Sequence, residues 1–380
     1  MRTFAANKKQ TLAAPVKKLE IVRFAPRSGE SFYDDLKRKI DIYFQDKDLS
    51  THANRAMRIK TIAMICMYLV PFVVLLTGVG AVNIFLYLGL WLLMGVGMVG
   101  IGTSIMHDGN HGSYSENKKA NKWLGRMILL VGGYHVNWKI QHNILHHTYT
   151  NIEGLDGDID AGIFLRFSPH SKHYKMHKFQ HLYAWFLYGL LTVQWATIKD
   201  FKNVVEYNKL DLLKKERLTL RQALWEVAWT KALYYAIFLV LPIIFSGVSW
   251  GWVVLGFFLM HFAAGLALSC IFQLAHVMEG AEFPMPDNQN KMANNWAVHQ
   301  VLNTVNFSPR SRIMSWFIGG LNFQIEHHLF PHICHVHYPK LSLIVKRTAQ
   351  QWGIPYQVER TFVTALITHG KMLKKLGTGN

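Results

Sequence analysis

Cysteine is scarce in this sequence of 380 residues, which contains three. Cys66, Cys270 and Cys334 lie far apart and form no Cys-x-x-Cys pair, so a disulfide framework is not expected. The first fifteen residues contain no continuous apolar stretch that would serve as a cleavable signal peptide. Acidic residues are also few, because 23 Asp and Glu face 41 Lys and Arg and give a formal net charge of +18. A basic excess of this size is typical of proteins that bind nucleic acid or a membrane surface. The positions of the charges along the chain distinguish the two.

Charge is absent from two long stretches of the chain. Residues 61–106 and residues 232–278 contain no Asp, Glu, Lys or Arg. A helix rises about 1.5 Å per residue and the hydrocarbon core of a membrane is about 30 Å thick, so each stretch is long enough to cross twice. Glycine-rich breaks at 77–83 and 246–252 divide the two stretches. The sequence therefore predicts four transmembrane helices in two hairpins, at about residues 61–78, 84–106, 224–246 and 252–275.

The basic residues flank these predicted helices. Because basic flanks mark the cytoplasmic side, we predict that both termini and the segments between the hairpins face the cytoplasm. The four helices account for the basic balance, so nucleic-acid binding is not expected. Residues 181–198 are apolar but include Gln194, and they are predicted to form an interfacial or buried helix rather than a fifth span. Lys231, near the start of the third span, is expected to extend to the membrane surface.

The predicted fold is an all-α integral membrane protein with a cytoplasmic helical cap on its two hairpins. Residues 1–58 are predicted to be a cytoplasmic N-terminal segment with an amphipathic helix, because apolar residues recur every fourth position from Phe32 to Phe44. Residues 59–350 form the membrane domain. Residues 351–380 are predicted to be a cytoplasmic C-terminal tail.

Three clusters of histidine, here called the first, second and third histidine boxes, lie outside the uncharged stretches. They read His107-Asp108-Gly109-Asn110-His111, His142-Asn143-Ile144-Leu145-His146-His147 and Gln324-Ile325-Glu326-His327-His328. Imidazole is the commonest nitrogen ligand for transition metals, and seven such side chains exceed what one ion needs. On an α-helix, histidines four residues apart share a face, and His147 lies about 100° round the helix from His146. Two neighbouring ions could each take a ligand from such a pair.

One further histidine belongs with the boxes. His276 ends the fourth predicted span as His107 ends the second, so it enters the same layer and is predicted to be a metal ligand rather than a capping or interfacial histidine. His261 lies in the middle of that span. It is expected to be a buried, hydrogen-bonded histidine or to line a tunnel.

Three polar residues are candidates for supporting the ligands from outside. Glu326 and Asp156 are predicted to orient ligand imidazoles through the ring nitrogen that does not face the metal, and Gln324 lies one helical turn before the histidine pair. The acidic run that begins at Asp156 is similar to the start of a calcium loop. That alternative fails because Phe167 stands where a bidentate glutamate is needed.

The ordered triple of boxes resembles the membrane fatty-acid desaturase family. The run of residues 319–331, Gly-Gly-Leu-Asn-Phe-Gln-Ile-Glu-His-His-Leu-Phe-Pro, is similar to the front-end acyl desaturases, which act between an existing double bond and the carboxyl end. Gln324 occupies the place where other members have histidine, and His276 matches an extra family histidine. The resemblance implies a four-span fold with a non-haem di-iron centre, and the histidines that it implies as ligands are His107, His111, His142, His146, His147, His276, His327 and His328.

The resemblance also implies the reaction, the dioxygen-dependent introduction of a cis double bond into a fatty acyl chain at a Δ6-like, front-end position. The implied substrate is an acyl-CoA or an acyl group on a membrane phospholipid. Two departures from many eukaryotic members stand out. The second box has three residues between its first histidine and its histidine pair, and no His-Pro-Gly-Gly motif of a fused cytochrome b-type domain is present. Electrons are therefore expected from a separate ferredoxin or cytochrome b-type protein with its reductase.

No catalytic residue is predicted beyond the metal ligands themselves. Aromatic residues near the boxes are candidate walls of a tunnel for the acyl chain, and they are Trp138, Trp296, Trp316 and Phe323. Two alternatives remain at this point. A lipid or carotenoid hydroxylase would share the same architecture, whereas a metal transporter would place its ionisable ligands at mid-membrane, which the boxes do not.

Overall fold

The computed structural model describes residues 22–26 and 29–379. Within these residues four helices are long and apolar enough to cross a membrane, and they are Arg55–Leu75, Ile84–His111, Leu220–Phe245 and Trp250–His276. The prediction of an all-α protein with four spans is confirmed. The first fifteen residues, which were considered above for a signal peptide, lie outside the described part of the chain.

The remaining elements are shorter than the spans; one precedes the first hairpin, one lies in its turn, and the others lie between or after the two hairpins. The helices are Phe32–Asp46, Val79–Val82, Lys118–Gly125, Arg126–Val131, His135–Trp138, Lys139–His146, His147–Tyr149, Lys175–Phe179, Gln180–Gly189, Leu191–Gln194, Trp195–Lys199, Asp200–Lys209, Leu212–Lys215, Trp296–Leu302, Arg312–Phe317, Gln324–Leu329, His335–His337, Tyr338–Gln351 and Phe362–Thr378. Asn306–Phe307 and Val358–Glu359 form a parallel two-stranded pair. Residues 181–198 fall in three of the short helices and, as predicted, are not among the four spans.

The second span is packed closely against the first and the fourth because glycines face both neighbours. A Cβ atom on Gly97 would lie 2.7 Å from the backbone nitrogen of Tyr68 in the first span. A Cβ atom on Gly95 would lie 2.8 Å from the carbonyl oxygen of Met260 in the fourth span. Side chains at these two positions would push the spans apart, so the glycines bring both hairpins together and fix where their inner ends lie.

The third span carries a buried charge. Lys231 was expected to extend to the membrane surface, and that expectation is wrong. Its ammonium group is buried and donates to Asp200 Oδ2 at 2.5 Å and to the carbonyl oxygens of Gly132 and Trp195. Asn137 also donates to Asp200, at 3.0 Å to its carboxylate. The ion pair forms because the helix Asp200–Lys209 is packed against the third span and brings a carboxylate to the lysine.

The C-terminal residues are packed on the rest of the molecule. The strand Val358–Glu359 pairs with Asn306–Phe307, just before the third histidine box. The helix Phe362–Thr378 buries His369, which lies 2.7 Å from the hydroxyl of Tyr188 and 2.7 Å from the carbonyl oxygen of Val277. These contacts connect the end of the chain to the layer that holds the boxes.

Candidate metal centre

The eight histidines predicted as ligands meet at one place, where the second and fourth spans end. The second span ends with His107 and His111, and the fourth ends with His276. The helix Gln324–Leu329 places His327 and His328 opposite them. The second box adds its three histidines from the segment that follows the first hairpin. All four segments bring their histidines to the same side of the two hairpins.

The rings are arranged in two groups. His107, His111, His142 and His327 each offer a ring nitrogen, and these four atoms lie within 4.8 Å of one another. The same holds for His146, His276 and His328. Two groups of histidine nitrogens at this spacing suit two neighbouring ions.

His147 connects the two groups. Its Nε2 lies 3.2 Å from His142 Nε2 and 3.0 Å from His327 Nε2, both in the first group. Its ring centroid lies 4.5 Å from that of His328 in the second group. The α-helical expectation placed His147 off to one side of His142. The structure differs because Lys139–His146 is a π-helix, in which residues five apart rather than four apart are stacked.

Several ring nitrogens in the two groups are buried without a hydrogen-bond partner in the described residues. They include both nitrogens of His107 and of His276, and Nε2 of His328. Leaving such an atom unpaired costs about 1–3 kcal/mol, so a set of them converging on one point indicates a bound partner. Burial, together with the neighbouring histidines, lowers the pKa of His142 and of His327 well below the usual range. These rings are therefore neutral, which is the form that binds a metal ion.

Two of the ligand candidates are held from outside by oxygen atoms that fix their tautomer. His146 Nδ1 lies 3.0 Å from both carboxylate oxygens of Asp156, as the sequence predicted for this residue. Burial alone would lower the pKa of His146, but the negative charges of Asp156 and Asp158 outweigh it and raise the pKa to about 9. His328 Nδ1 lies 2.8 Å from Gln300 Oε1. In both rings Nδ1 is the donor, so Nε2 is the atom that would bind a metal ion, and His146 would release its Nε2 proton on binding.

The Asp156 contact gives a direct prediction. Changing Asp156 to Asn is expected to lower metal affinity by about 10–100-fold, because the amide keeps the shape but no longer supplies the charge that orients and polarises His146. Metal release to a chelator, followed by element analysis of the desalted protein, measures this. Asp160→Asn, a change in the same acidic run but at an exposed position, is the matched control. Equal retention of metal by the two variants would contradict the role given to Asp156.

The other two supporting candidates, Glu326 and Gln324, form no hydrogen bond to a ligand ring within the described residues. Glu326 Oε2 accepts from Asn306 Nδ2 at 2.8 Å, and Glu326 Oε1 accepts from the hydroxyl of Tyr356 at 2.8 Å. Burial raises the pKa of Glu326 to about 7. The carboxylate thus connects the third box to Asn306, in the first strand of the pair, and to Tyr356, two residues before the second strand, instead of orienting an imidazole. Gln324 is buried, and its Nε2 has no partner in the described part of the chain.

A second polar network next to His107 was not predicted. Asp108 Oδ2 lies 2.8 Å from His335 Nδ1 and accepts from the thiol of Cys334 at 3.1 Å. Lys60 Nζ lies 2.5 Å from the other ring nitrogen of His335. Asp108 is one residue from a ligand candidate, which was a usable signal. His335 follows the third box closely, which was a second signal, whereas Lys60 gave none because it meets His335 only through the folding of distant segments.

A cavity of about 570 Å³ lies beside the second box. Trp138 and His142 both line it, and their ring centroids are 4.4 Å apart. Its apolar lining includes Phe164, Leu165, Phe167, Leu187, Leu191, Ile198 and Phe272. Asp160 and Lys202 line it and are exposed, so they mark the side that opens to solvent. An apolar space that begins at the surface and ends at a ligand candidate suits a long hydrocarbon chain.

Of the four aromatic residues predicted as tunnel walls, the structure brings Trp138 to this cavity and places the other three elsewhere. The indole nitrogen of Trp296 donates to the carbonyl oxygen of His147 at 3.0 Å. Trp316 is 43% exposed and its ring faces the ammonium group of Lys60. Phe323 is buried in the cluster that packs the helix Phe32–Asp46 against the third box.

Comparison with known proteins gives a consistent result. Residues 83–360 match the model of the family described as fatty acid desaturase. The chain is 36% identical over 351 residues to the sn-1 linoleoyl-lipid 6-desaturase of Arthrospira platensis, covering 91% of this chain and 92% of that protein. It is 32% identical to the protein of the same name from Synechocystis sp., covering 94% and 98%. It is 32% identical to the acyl-lipid (8-3)-desaturase of Physcomitrium patens, covering 94% and 74%.

Proposed function

The chain belongs to the fatty acid desaturase family and is a membrane-bound front-end fatty acyl desaturase, and we propose that it is a di-iron enzyme that desaturates linoleoyl chains on membrane lipids at carbon 6. The observation that carries this proposal is the convergence of eight histidines, seven of them buried, on a point that the cavity beside the second box reaches at His142. Imidazole also suits zinc and copper, so the choice of iron depends on the chemistry that the family performs.

The overall reaction fixes what the site must receive. One –CH2–CH2– unit, one dioxygen, two electrons and two protons give one –CH=CH– unit and two water molecules. Two bound iron ions would supply the oxidising power, held by His107, His111, His142 and His327 on one side and by His146, His276 and His328 on the other. The role of the protein is to place one pair of methylene groups beside the centre and to keep other groups away.

The cavity beside the second box is proposed to hold the acyl chain. Phe167, Leu191 and Phe272 would contact the hydrocarbon, and Trp138 would close the space next to His142. The ester end of the chain would lie near Lys202, on the side open to solvent. A front-end enzyme counts from the carboxyl end, so the distance from the opening to His142 would set which carbons react.

An acyl-lipid is proposed as the substrate rather than an acyl-CoA. The proteins named above from Arthrospira platensis, Synechocystis sp. and Physcomitrium patens are described as acting on lipid-bound chains. Both termini and the metal centre are proposed to face the cytoplasm, because basic residues flank the spans on that side. A separate ferredoxin or cytochrome b-type protein is proposed to deliver the electrons.

The function is tested by expressing the protein in a host that makes no polyunsaturated fatty acids and feeding linoleic acid. We expect a new double bond at carbon 6, located by mass spectrometry, to appear first in the sn-1 chains of membrane lipids and not in the acyl-CoA pool. A His146→Ala variant expressed to the same level is the control, and it should yield no product.

Three outcomes would contradict the proposal or a part of it. A hydroxylated chain without a new double bond would make the protein a hydroxylase of the same architecture. Product that appears first as acyl-CoA would overturn the choice of substrate while leaving the reaction intact. Purified protein that carries zinc or copper and remains active without iron would overturn the metal assignment.

A further inference from the structure

A second cavity, of about 610 Å³, reaches the metal centre from a different direction. Gly109, Asn110 and His111 of the first box line it, and so does Gly112, which follows the box. The rest of its lining is unusually basic, and the cations are Lys118, Lys122, Arg126 and Lys139. This cavity is distinct from the apolar cavity, with which it shares no lining residue.

The positive charge of this cavity is only partly neutralised. Two carboxylates line it, and both are engaged: Glu216 pairs with Lys139 at 2.7 Å, and Glu226 accepts from the hydroxyl of Tyr134 at 2.5 Å. Lys118 and Lys122 are exposed and form no ion pair with any carboxylate in the described residues. The cavity therefore presents an excess of positive charge to the solvent. His111, a ligand candidate, is part of its lining.

The basic rim is fixed relative to His111. Asn121 Nδ2 donates to the carbonyl oxygen of Gly112 at 3.0 Å, and Asn110 Nδ2 donates to that of Gly125 at 3.1 Å. A Cβ atom on Gly109 would lie 2.6 Å from the backbone nitrogen of Gly125, so the first box and the helix Lys118–Gly125 are in backbone contact. Lys118 and Lys122 are carried on that helix. A partner that binds these lysines is consequently held at a defined distance from the metal centre.

His111 is also the ring through which such a partner would reach the first group of ligands and His147, which connects the two groups. Its Nε2 is buried without a hydrogen-bond partner in the described part of the chain. Its ring centroid lies 4.9 Å from that of His147 and 5.0 Å from that of His327. The two cavities thus differ in charge. The first, which meets the centre at His142, is lined by two lysines and two aspartates beside its apolar residues. The second, which meets it at His111, is lined by four cations and two carboxylates.

From these observations we propose that the basic cavity is the docking site of an acidic one-electron carrier protein, with Lys118 and Lys122 as its main contacts. The inference rests on the proposed function, because two electrons must enter for every double bond formed. Each docking would oxidise one reduced carrier and pass one electron towards the metal centre by way of His111, so two dockings serve one turnover. Electron transfer slows steeply with distance, and His111 is the ligand candidate that lines this cavity.

The test uses the full-length enzyme in detergent with two acidic carriers as probes, a plant-type [2Fe–2S] ferredoxin and a soluble cytochrome b-type domain, each kept reduced by its reductase. The double variant Lys118→Glu/Lys122→Glu is expected to lower kcat/KM for the carrier at least about tenfold, and to lose the decrease with added NaCl that the unmodified enzyme shows. Single turnover after reduction with dithionite, which needs no docking, should proceed at the unmodified rate.

The matched control is Lys340→Glu/Lys346→Glu, which makes the same change of charge at two exposed positions on the helix Tyr338–Gln351, outside the cavity lining. It should leave the carrier-dependent rate unchanged. The proposal is overturned if both double variants act alike, if neither acidic carrier supports turnover while dithionite does, or if reversal at Lys118 and Lys122 raises KM for the lipid instead, which would make the cavity a headgroup site. Absence of product with dithionite in the unmodified enzyme would instead count against the proposed desaturase reaction.

Discussion

Replacement of His276 by alanine is expected to abolish desaturation and to lower the metal content of the purified protein from two ions per chain towards one. His276, His146 and His328 are the three histidines of the second group, and both ring nitrogens of His276 lack any partner in the described residues. Loss of an outer partner of a ligand already costs about 10–100-fold in affinity or activity, so loss of a ligand from a group of three should cost more than that. Element analysis and product formation measure the two effects together.

His261→Gln is the matched control for this variant, because both histidines are buried on the same span. His261 lies away from the boxes, and its ring nitrogens are 2.8 Å from the hydroxyl of Tyr234 and 3.1 Å from Thr192 Oγ1. It is the buried, hydrogen-bonded histidine that the sequence suggested as one of two alternatives. The glutamine variant should retain two ions. A His276→Ala enzyme that binds two ions and desaturates normally would remove His276 from the ligand set.

Replacement of Lys231 by methionine is expected to lower the free energy of unfolding by about 3–5 kcal/mol, the largest stability effect that we predict outside the metal centre. The change leaves the Asp200 carboxylate buried without its cation, and it removes the donor to the carbonyl oxygens of Gly132 and Trp195. Denaturant titration in detergent micelles measures the loss, and the thermal midpoint should fall with it.

A double variant separates the ion pair from the packing of the lysine chain. Lys231→Met/Asp200→Leu removes both charges, so it should be more stable than the sum of its two single variants predicts. Lys209→Met, at an exposed position on the helix that carries Asp200, should change stability by no more than about 0.5 kcal/mol. Additive single effects would mean that Lys231 and Asp200 contribute independently.

The parts of this protein that the sequence predicted are those written in local patterns. The uncharged stretches predicted the four spans. The short spacing within each box indicated that its histidines act together as metal ligands. His276 followed from its position at the end of a span. Each of these predictions needs no knowledge of which distant residues meet.

The parts that the sequence did not predict depend on contacts between distant residues. Gln300 meets His328 across 28 residues, and Asp108 meets His335 across 227 residues, so neither pair has a recognisable spacing. The prediction that Lys231 reaches the membrane surface failed because a lysine near the end of a span is ordinarily free to reach water. Its partner Asp200 lies 31 residues earlier, in a different helix, and the spacing of the two residues does not reveal the contact. The π-helix Lys139–His146 has no signature in its residues, and it changes which histidines face one another.

The order of the ligands along the chain has a consequence for biosynthesis. His107 and His111, at the end of the second span, are made while His327 and His328, which complete the two groups, are still to be translated. Tyr356, which holds Glu326 in the third box, and His369, which supports Tyr188 in the cavity wall, are made later still. Until the third box has been made, the nascent chain therefore offers each ion only part of its ligand set. We therefore expect stable metal binding to begin only late in the synthesis of the chain.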